Sequence, residues 1–196
     1  MERAQVLKQV NNIGSDEGHN WTLKVYNSMR DLPRGYVLQY KDAWCAAFVT
    51  AVLSICGYDD LAECSCNLMI NKAKKLGIYK DKNYNASVGD VVFYNWDGDS
   101  IPDHVGIVID TSAGDILVRE GNKGGKVDNR RIVKSSACIM GYAAIPYTEY
   151  EFTRDKMTRI MERLSAIDYE VMWNNNGIDG IISEVDNTIK EGLRCS

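Results

Sequence analysis

Apolar residues recur at helical spacing along the first part of the chain. In ERAQVLKQVNNIG, Val6, Val10 and Ile13 share one face, and the segment stops at a glycine. NWTLKVYNSMRDLP predicts a second short helix that halts before Pro33. The run WCAAFVTAVLSICG is apolar nearly all round, which predicts a buried central helix closed by Gly57. CSCNLMINKAKKLG predicts a further helix, again ended by a glycine. After Gly89 the period changes. GDVVFYNW, DHVGIVID, DILVREGN and CIMGYAAIPY are short β-rich runs separated by Gly, Asp and Asn turns, and KVDNRRIVK is a weaker strand placed at an edge. Helices followed by strands predict an α+β domain, with helices packed on a mostly antiparallel sheet. From Thr148 the helical period returns. Met157, Ile160, Met161, Leu164 and Ile167 form one stripe, WNNNG interrupts it, and Ile178, Ile181, Ile182, Val185 and Ile189 form another. The pattern predicts one domain over 1–147 and a helical hairpin over 148–196, whose stripes need something to pack on.

Composition narrows the partners. The chain has 196 residues, enough for a sizeable core, and its net charge of −4 comes without a long basic run. Nucleic acid is therefore excluded as an expected partner. No segment reaches the roughly 18 apolar residues of a membrane span, so no membrane insertion is expected. MERAQVLKQVNNIG has no apolar core of secretory length, and synthesis in the cytoplasm without a signal peptide is the expectation. The six cysteines lack the dense spacing of a disulfide scaffold, and CSC at 64–66 lacks the C-x-x-C spacing of a zinc knuckle. Only two histidines, His19 and His104, are available for chemistry that needs an imidazole.

Cys45 opens the central helix, where unpaired N–H groups and the positive end of the dipole favour a thiolate. Cys56 lies near the other end of that helix, where the field opposes one. His104 shares the even-numbered face of its strand with Gly106, Val108 and Asp110. The next strand carries Ile116, Val118, Glu120 and Asn122 on one face. A short turn between the two strands can bring His104 beside Glu120 or Asn122, either of which would orient the imidazole. Each residue also has a plain structural reading: a small core cysteine, a strand histidine, a solvated glutamate. Their order and context together favour a thiol–imidazole site.

WCAAFV, GDVVFY, DHVGIVI and EGN, in this order, resemble the CHAP family of cysteine- and histidine-dependent amidohydrolases and peptidases. The resemblance spans roughly Met1 to Tyr147. It implies a papain-like fold and hydrolysis of an amide bond in bacterial peptidoglycan. Cys45 would be the nucleophile and His104 the general base. Glu120 would orient His104, with Asn122 supporting or replacing it. Gln39, six residues before the cysteine, and Tyr40 are oxyanion-donor candidates beside the Cys45 backbone N–H. Trp44, Gly106 and Asp103 are candidates for the substrate groove, Gly106 because it leaves bare backbone beside the imidazole. Asp97 and Asp99 crowd the loop before His104 along with Asp103. His19 reads as a surface or groove-lining residue. Some family members bind calcium before the cysteine, but Asp16, Glu17 and Asp42 are too isolated here, so neither metal nor cofactor is expected.

The family leaves N-acetylmuramoyl-L-alanine amidase and peptidoglycan endopeptidase as alternatives. The setting expected is a phage endolysin delivered to the wall from the cytoplasm by a holin-type route. A silent CHAP-like module that binds wall peptides is the non-enzymatic alternative. Thiol acyltransferases with a related sheet place the histidine before the cysteine, the reverse of the order here. Residues 148–196 are expected to bind wall, to mediate homo-oligomerisation or to clamp the catalytic domain.

Overall fold

The computed structural model describes residues 1–147 and Asn187. Met1–Thr148 forms one unit of the chain. The expected hairpin of 148–196, with its suggested wall-binding, dimerisation or clamping role, lies outside the described residues.

Among the described residues, four α-helices come first: α1 (Arg3–Asn12), α2 (Gly18–Asn27), α3 (Cys45–Ile55) and α4 (Cys66–Lys75). A 3-10 turn at Pro33–Gly35 lies between α2 and α3. Six strands follow: β1 (Tyr79–Asp81), β2 (Val91–Tyr94), β3 (His104–Thr111), β4 (Asp115–Lys123), β5 (Lys126–Val133) and β6 (Ile139–Ala143). They form one antiparallel sheet of order β1-β6-β2-β3-β4-β5. This α+β arrangement is compatible with a papain-like fold of the CHAP type. KVDNRRIVK is an edge strand, as its weak alternation suggests. The other edge, β1, has only three residues, too few for a period to show in sequence.

Both faces of the sheet carry buried apolar residues, one set on each parity of the strands. Val91, Phe93, Val105 and Ile107 join α3 and the other helices in one core. Val92, Tyr94, Val108, Ile116, Val118 and Tyr142 build a second core from residues of opposite parity. Helix α3 is buried from Cys45 through Leu53, as expected of a helix apolar on every side. Gly57, with φ 82°, ends it in the left-handed region that glycine adopts without steric cost.

Two glycines set the distances around the later site. A Cβ at Gly121 of β4 would stand 2.6 Å from Phe48 Cγ and 2.8 Å from Trp44 Cζ3, so its absence lets β4 close on the start of α3. A Cβ at Gly106 of β3 would stand 2.6 Å from Val118 Cγ1 and 2.8 Å from Glu120 Cγ. The bare backbone at Gly106 is thus filled by Val118 and Glu120, and Gly106 makes room for the carboxylate rather than lining a groove.

Gly121→Ala should lower unfolding stability by about 1–3 kcal/mol in urea, because aromatic rings and strand must separate to admit a methyl group. Gly114→Ala, where a Cβ meets nothing within 4 Å, should stay within about 0.5 kcal/mol of the wild type. Equal effects at the two positions would contradict this packing.

Candidate active site

Cys45 is the first residue of α3 and is 5% exposed. The residue preceding it, Trp44, supplies no capping side chain, so the first-turn N–H groups of α3 have no side-chain acceptor there. A negative sulfur suits that place. The Sγ of Cys66, the first residue of α4, stands 3.4 Å from Cys45 Sγ. The Cys66 thiol, then hydrogen bonding with His104, then the Ala46 backbone N–H outweigh burial and pull the Cys45 thiol down to about 5. Cys66 moves the other way: its bond to Cys45 and its burial keep it protonated. With Cys45 ionised, the Cys66 S–H is the donor in this contact.

His104 opens β3 and Glu120 lies on β4, on the shared face expected from the strand period. His104 Nε2–H donates to Glu120 Oε2 at 3.1 Å. That bond leaves Nδ1 as the ring nitrogen for Cys45. Glu120 has no exposed surface. Its second oxygen, Oε1, accepts from Arg130 Nε of β5 at 2.7 Å. Burial pushes the Glu120 carboxyl up, but the His104 and Arg130 bonds outweigh it and hold the group below its usual value. Burial likewise pulls His104 down, yet its bonds to Cys45 and Glu120 raise it to about 9. These directions favour a row of alternating charges: thiolate, imidazolium, carboxylate, guanidinium. The Tyr94 ring stacks on His104 at 6.0 Å, and the Arg130 guanidinium lies 4.7 Å over the Trp96 ring.

The structure brings together Cys45, His104 and Glu120. It sets Asn122 apart: this residue sits where the β4–β5 register shifts between Glu120 and Lys123, and its φ of 58° takes it out of the strand alternation. Gln39 Nε2 donates to Val37 O at 3.0 Å within its own exposed loop, and the Tyr40 ring packs on His19 at 4.4 Å. Neither makes a hydrogen bond to Cys45; the backbone donor at the sulfur is Ala46. Trp44 is 2% exposed and stacks on His19 at 4.8 Å, so it is a core residue that ties α2 to α3 and not a wall of the groove. His19 is accordingly part of an aromatic stack, with its pKa lowered by burial. Asp103 is exposed and closes the loop before β3, accepting from the Trp96 backbone N–H while its own N–H donates to Tyr94 O at 2.8 Å. Asp16 pairs with Lys126 at 2.6 Å, and Asp42 accepts from Tyr36 and from the Gln39 backbone. Among the described residues no group of three or more His, Cys, Asp or Glu side chains could hold a metal ion.

Two members of the cluster were missed in the sequence. Arg130 was legible in principle: it follows the Gly124–Gly125 turn, and pairing Val118 with Arg130 places it diagonally across from Glu120. Cys66 gave no such signal, because its contact with Cys45 is made between two helix starts and follows no periodicity.

A thiol at a helix start, an imidazole and a buried carboxylate thus come together on this α+β scaffold. Residues 35–122 match the family model described as CHAP domain. CHAP domains are generally hydrolases acting on peptidoglycan, which suggests an amidase or peptidase activity for this one. No curated protein matches the chain. Among the described residues no helix is long and apolar enough to cross a membrane.

With only two histidines, both ring titrations can be followed by NMR. His104 should titrate near 9 and His19 below 6.5. In Glu120→Gln the anion that holds the imidazolium is gone and burial then dominates, so the His104 midpoint should fall by more than about one pH unit. His19 should not move. An unchanged His104 midpoint would mean that Glu120 does not support its charge.

Proposed function

We propose that this protein hydrolyses an amide bond of bacterial peptidoglycan by thiol catalysis, as an N-acetylmuramoyl-L-alanine amidase or a peptidoglycan endopeptidase. One observation carries the reading. A buried thiol at an uncapped helix start interacts with an imidazole whose far nitrogen is held by a fully buried carboxylate. A core cysteine needs none of these partners.

In this mechanism the Cys45 thiolate attacks the amide carbonyl carbon, and the carbonyl oxygen takes up the negative charge beside backbone N–H groups at the start of α3. His104 gives its proton to the leaving nitrogen as the C–N bond breaks, which leaves an acyl thioester on Cys45. The neutral imidazole then takes a proton from water. The resulting hydroxide attacks the thioester carbonyl, and the thiolate departs as the acid is released. Glu120 keeps the ring oriented and compensates its charge in both halves. Arg130 keeps Glu120 ionised. Delivery from the cytoplasm to the wall, as in an endolysin, belongs to the same proposal.

Wild-type protein should clear suspensions of purified cell walls and release new amino termini. Cys45→Ala should lose at least roughly a thousandfold of that rate while keeping its fold. New N-terminal alanine would identify the amidase, and new termini elsewhere in the peptide the endopeptidase. Binding of walls by both proteins without cleavage by either would overturn the reading in favour of a binding module.

The rate should also be bell-shaped in pH. Below about 5 Cys45 takes up a proton and the nucleophile is lost. Above about 9 His104 loses the proton that the leaving amine needs. The limbs belong to the thiol–imidazole pair as a whole. A rate that climbs steadily through alkaline pH, as for an ordinary thiol, would contradict the ion pair.

A further inference from the structure

The mechanism above has no covalent use for Cys66, yet that side chain is 9% exposed and stands against the sulfur proposed as the nucleophile. The two sulfurs are 3.4 Å apart, against about 2 Å in a disulfide. Cys45 begins α3 and Cys66 begins α4, so both thiols project from first turns of neighbouring helices. The remaining described cysteines are engaged elsewhere. Cys64 Sγ accepts from Arg34 Nη2 at 3.1 Å, Cys138 Sγ lies 3.1 Å from Ser136 Oγ, and Cys56 is at the far end of α3.

We propose that Cys45 and Cys66 form a reversible redox modification site, in which a hydroperoxide oxidises Cys45 and Cys66 closes on it as a disulfide that switches the enzyme off. The Cys45 thiolate attacks the outer oxygen of the hydroperoxide, the O–O bond breaks, and the departing alkoxide or hydroxide takes up a proton. Cys45 is then a sulfenic acid. The Cys66 sulfur attacks the Cys45 sulfur, the S–O bond breaks, and the Cys66 proton leaves with the oxygen as water. Two thiols and one hydroperoxide thus give one disulfide, one alcohol or water, and one further water. A dithiol reverses the change by two exchange steps and is itself oxidised.

The same contact explains why the site would tolerate oxidants. A thiolate left alone as sulfenic acid proceeds to sulfinic and sulfonic acids, which dithiols do not reverse. A protonated thiol in van der Waals contact intercepts the first stage. The nucleophile would then be blocked in an oxidising medium and returned intact in a reducing one.

This inference rests on Cys45 being the reactive thiol of the proposed function, but its decisive readout is mass and not wall cleavage. The reduced full chain is treated with hydrogen peroxide, and the remaining thiols are alkylated. Trypsin leaves 42–72 as one fragment that holds Cys45, Cys56, Cys64 and Cys66. A glutamyl protease cuts it after Glu63 and chymotrypsin cuts after Phe48, and tandem mass fragmentation between Cys64 and Cys66 then assigns the link.

The expected product is about 2 Da lighter than the reduced chain, with Cys45 joined to Cys66 and Cys64 still alkylatable. Any wall-clearing activity should fall by roughly tenfold or more with the link and return on treatment with dithiothreitol. Cys64→Ser should behave as the wild type. Cys66→Ser should form no link at Cys45 and should accumulate its irreversible oxidation products. The proposal is overturned if Cys45 in the wild type overoxidises as in Cys66→Ser, if it pairs with Cys64 or Cys56, or if it stays alkylatable. A link that forms in a protein inactive on walls would sink the hydrolase reading and leave the redox pair standing.

Discussion

A carboxylate without any exposed surface is the constraint on which this site depends. Glu120 sits inside the sheet domain, and an unpaired charge there would be costly to bury. Two cations from the flanking strands hold it, His104 of β3 at 3.1 Å and Arg130 of β5 at 2.7 Å. Removing one partner from such a pair typically costs about 3–5 kcal/mol, because the other charge is left uncompensated. The arrangement therefore specifies the geometry of three strands at once. Gly106 contributes by having no side chain where Glu120 must lie. The register shift after Glu120 contributes too, since it takes Asn122 off the strand alternation.

The helix side answers to a different constraint. An apolar helix has to be buried on every face, which drives α3 against the sheet, and Gly121 lets its first turn come close to β4. That first turn carries Cys45. The thiol is thereby placed where the field of α3, the His104 ring and the Cys66 thiol all favour its ionised form. Packing supplies the position and electrostatics supplies the reactivity.

Much of this was legible in the sequence because period and chemistry coincided. Four helices and five of the six strands follow the change from a 3.6-residue to a two-residue pattern near Gly89. Parity alone put His104 and Glu120 on the same sheet face in neighbouring strands. What failed was what parity cannot see. Trp44 stands next to the cysteine and invites a role in the groove, yet its ring is spent on packing with His19 and Phe48. Gly106 looked like open space and is occupied by a neighbour's side chain. Asn122 had the right parity with Glu120, but a residue with positive φ breaks the count. Gln39 had the right spacing from Cys45, but its amide is held by its own loop. Cys66 lacks metal-site spacing within CSC, and its partner lies across a helix–helix contact.

The measurement that tests the central claim most directly is the pH dependence of Cys45 alkylation by iodoacetamide in the native chain, with the labelled residue identified by mass. An ion pair with His104 predicts that Cys45 reacts fast at neutral pH and that its rate declines only as pH falls through about 5. A rate that rises instead around 9.0, the ordinary thiol value, or a Cys45 no more reactive than Cys56, would contradict the account and leave a packed core cysteine at the mouth of α3.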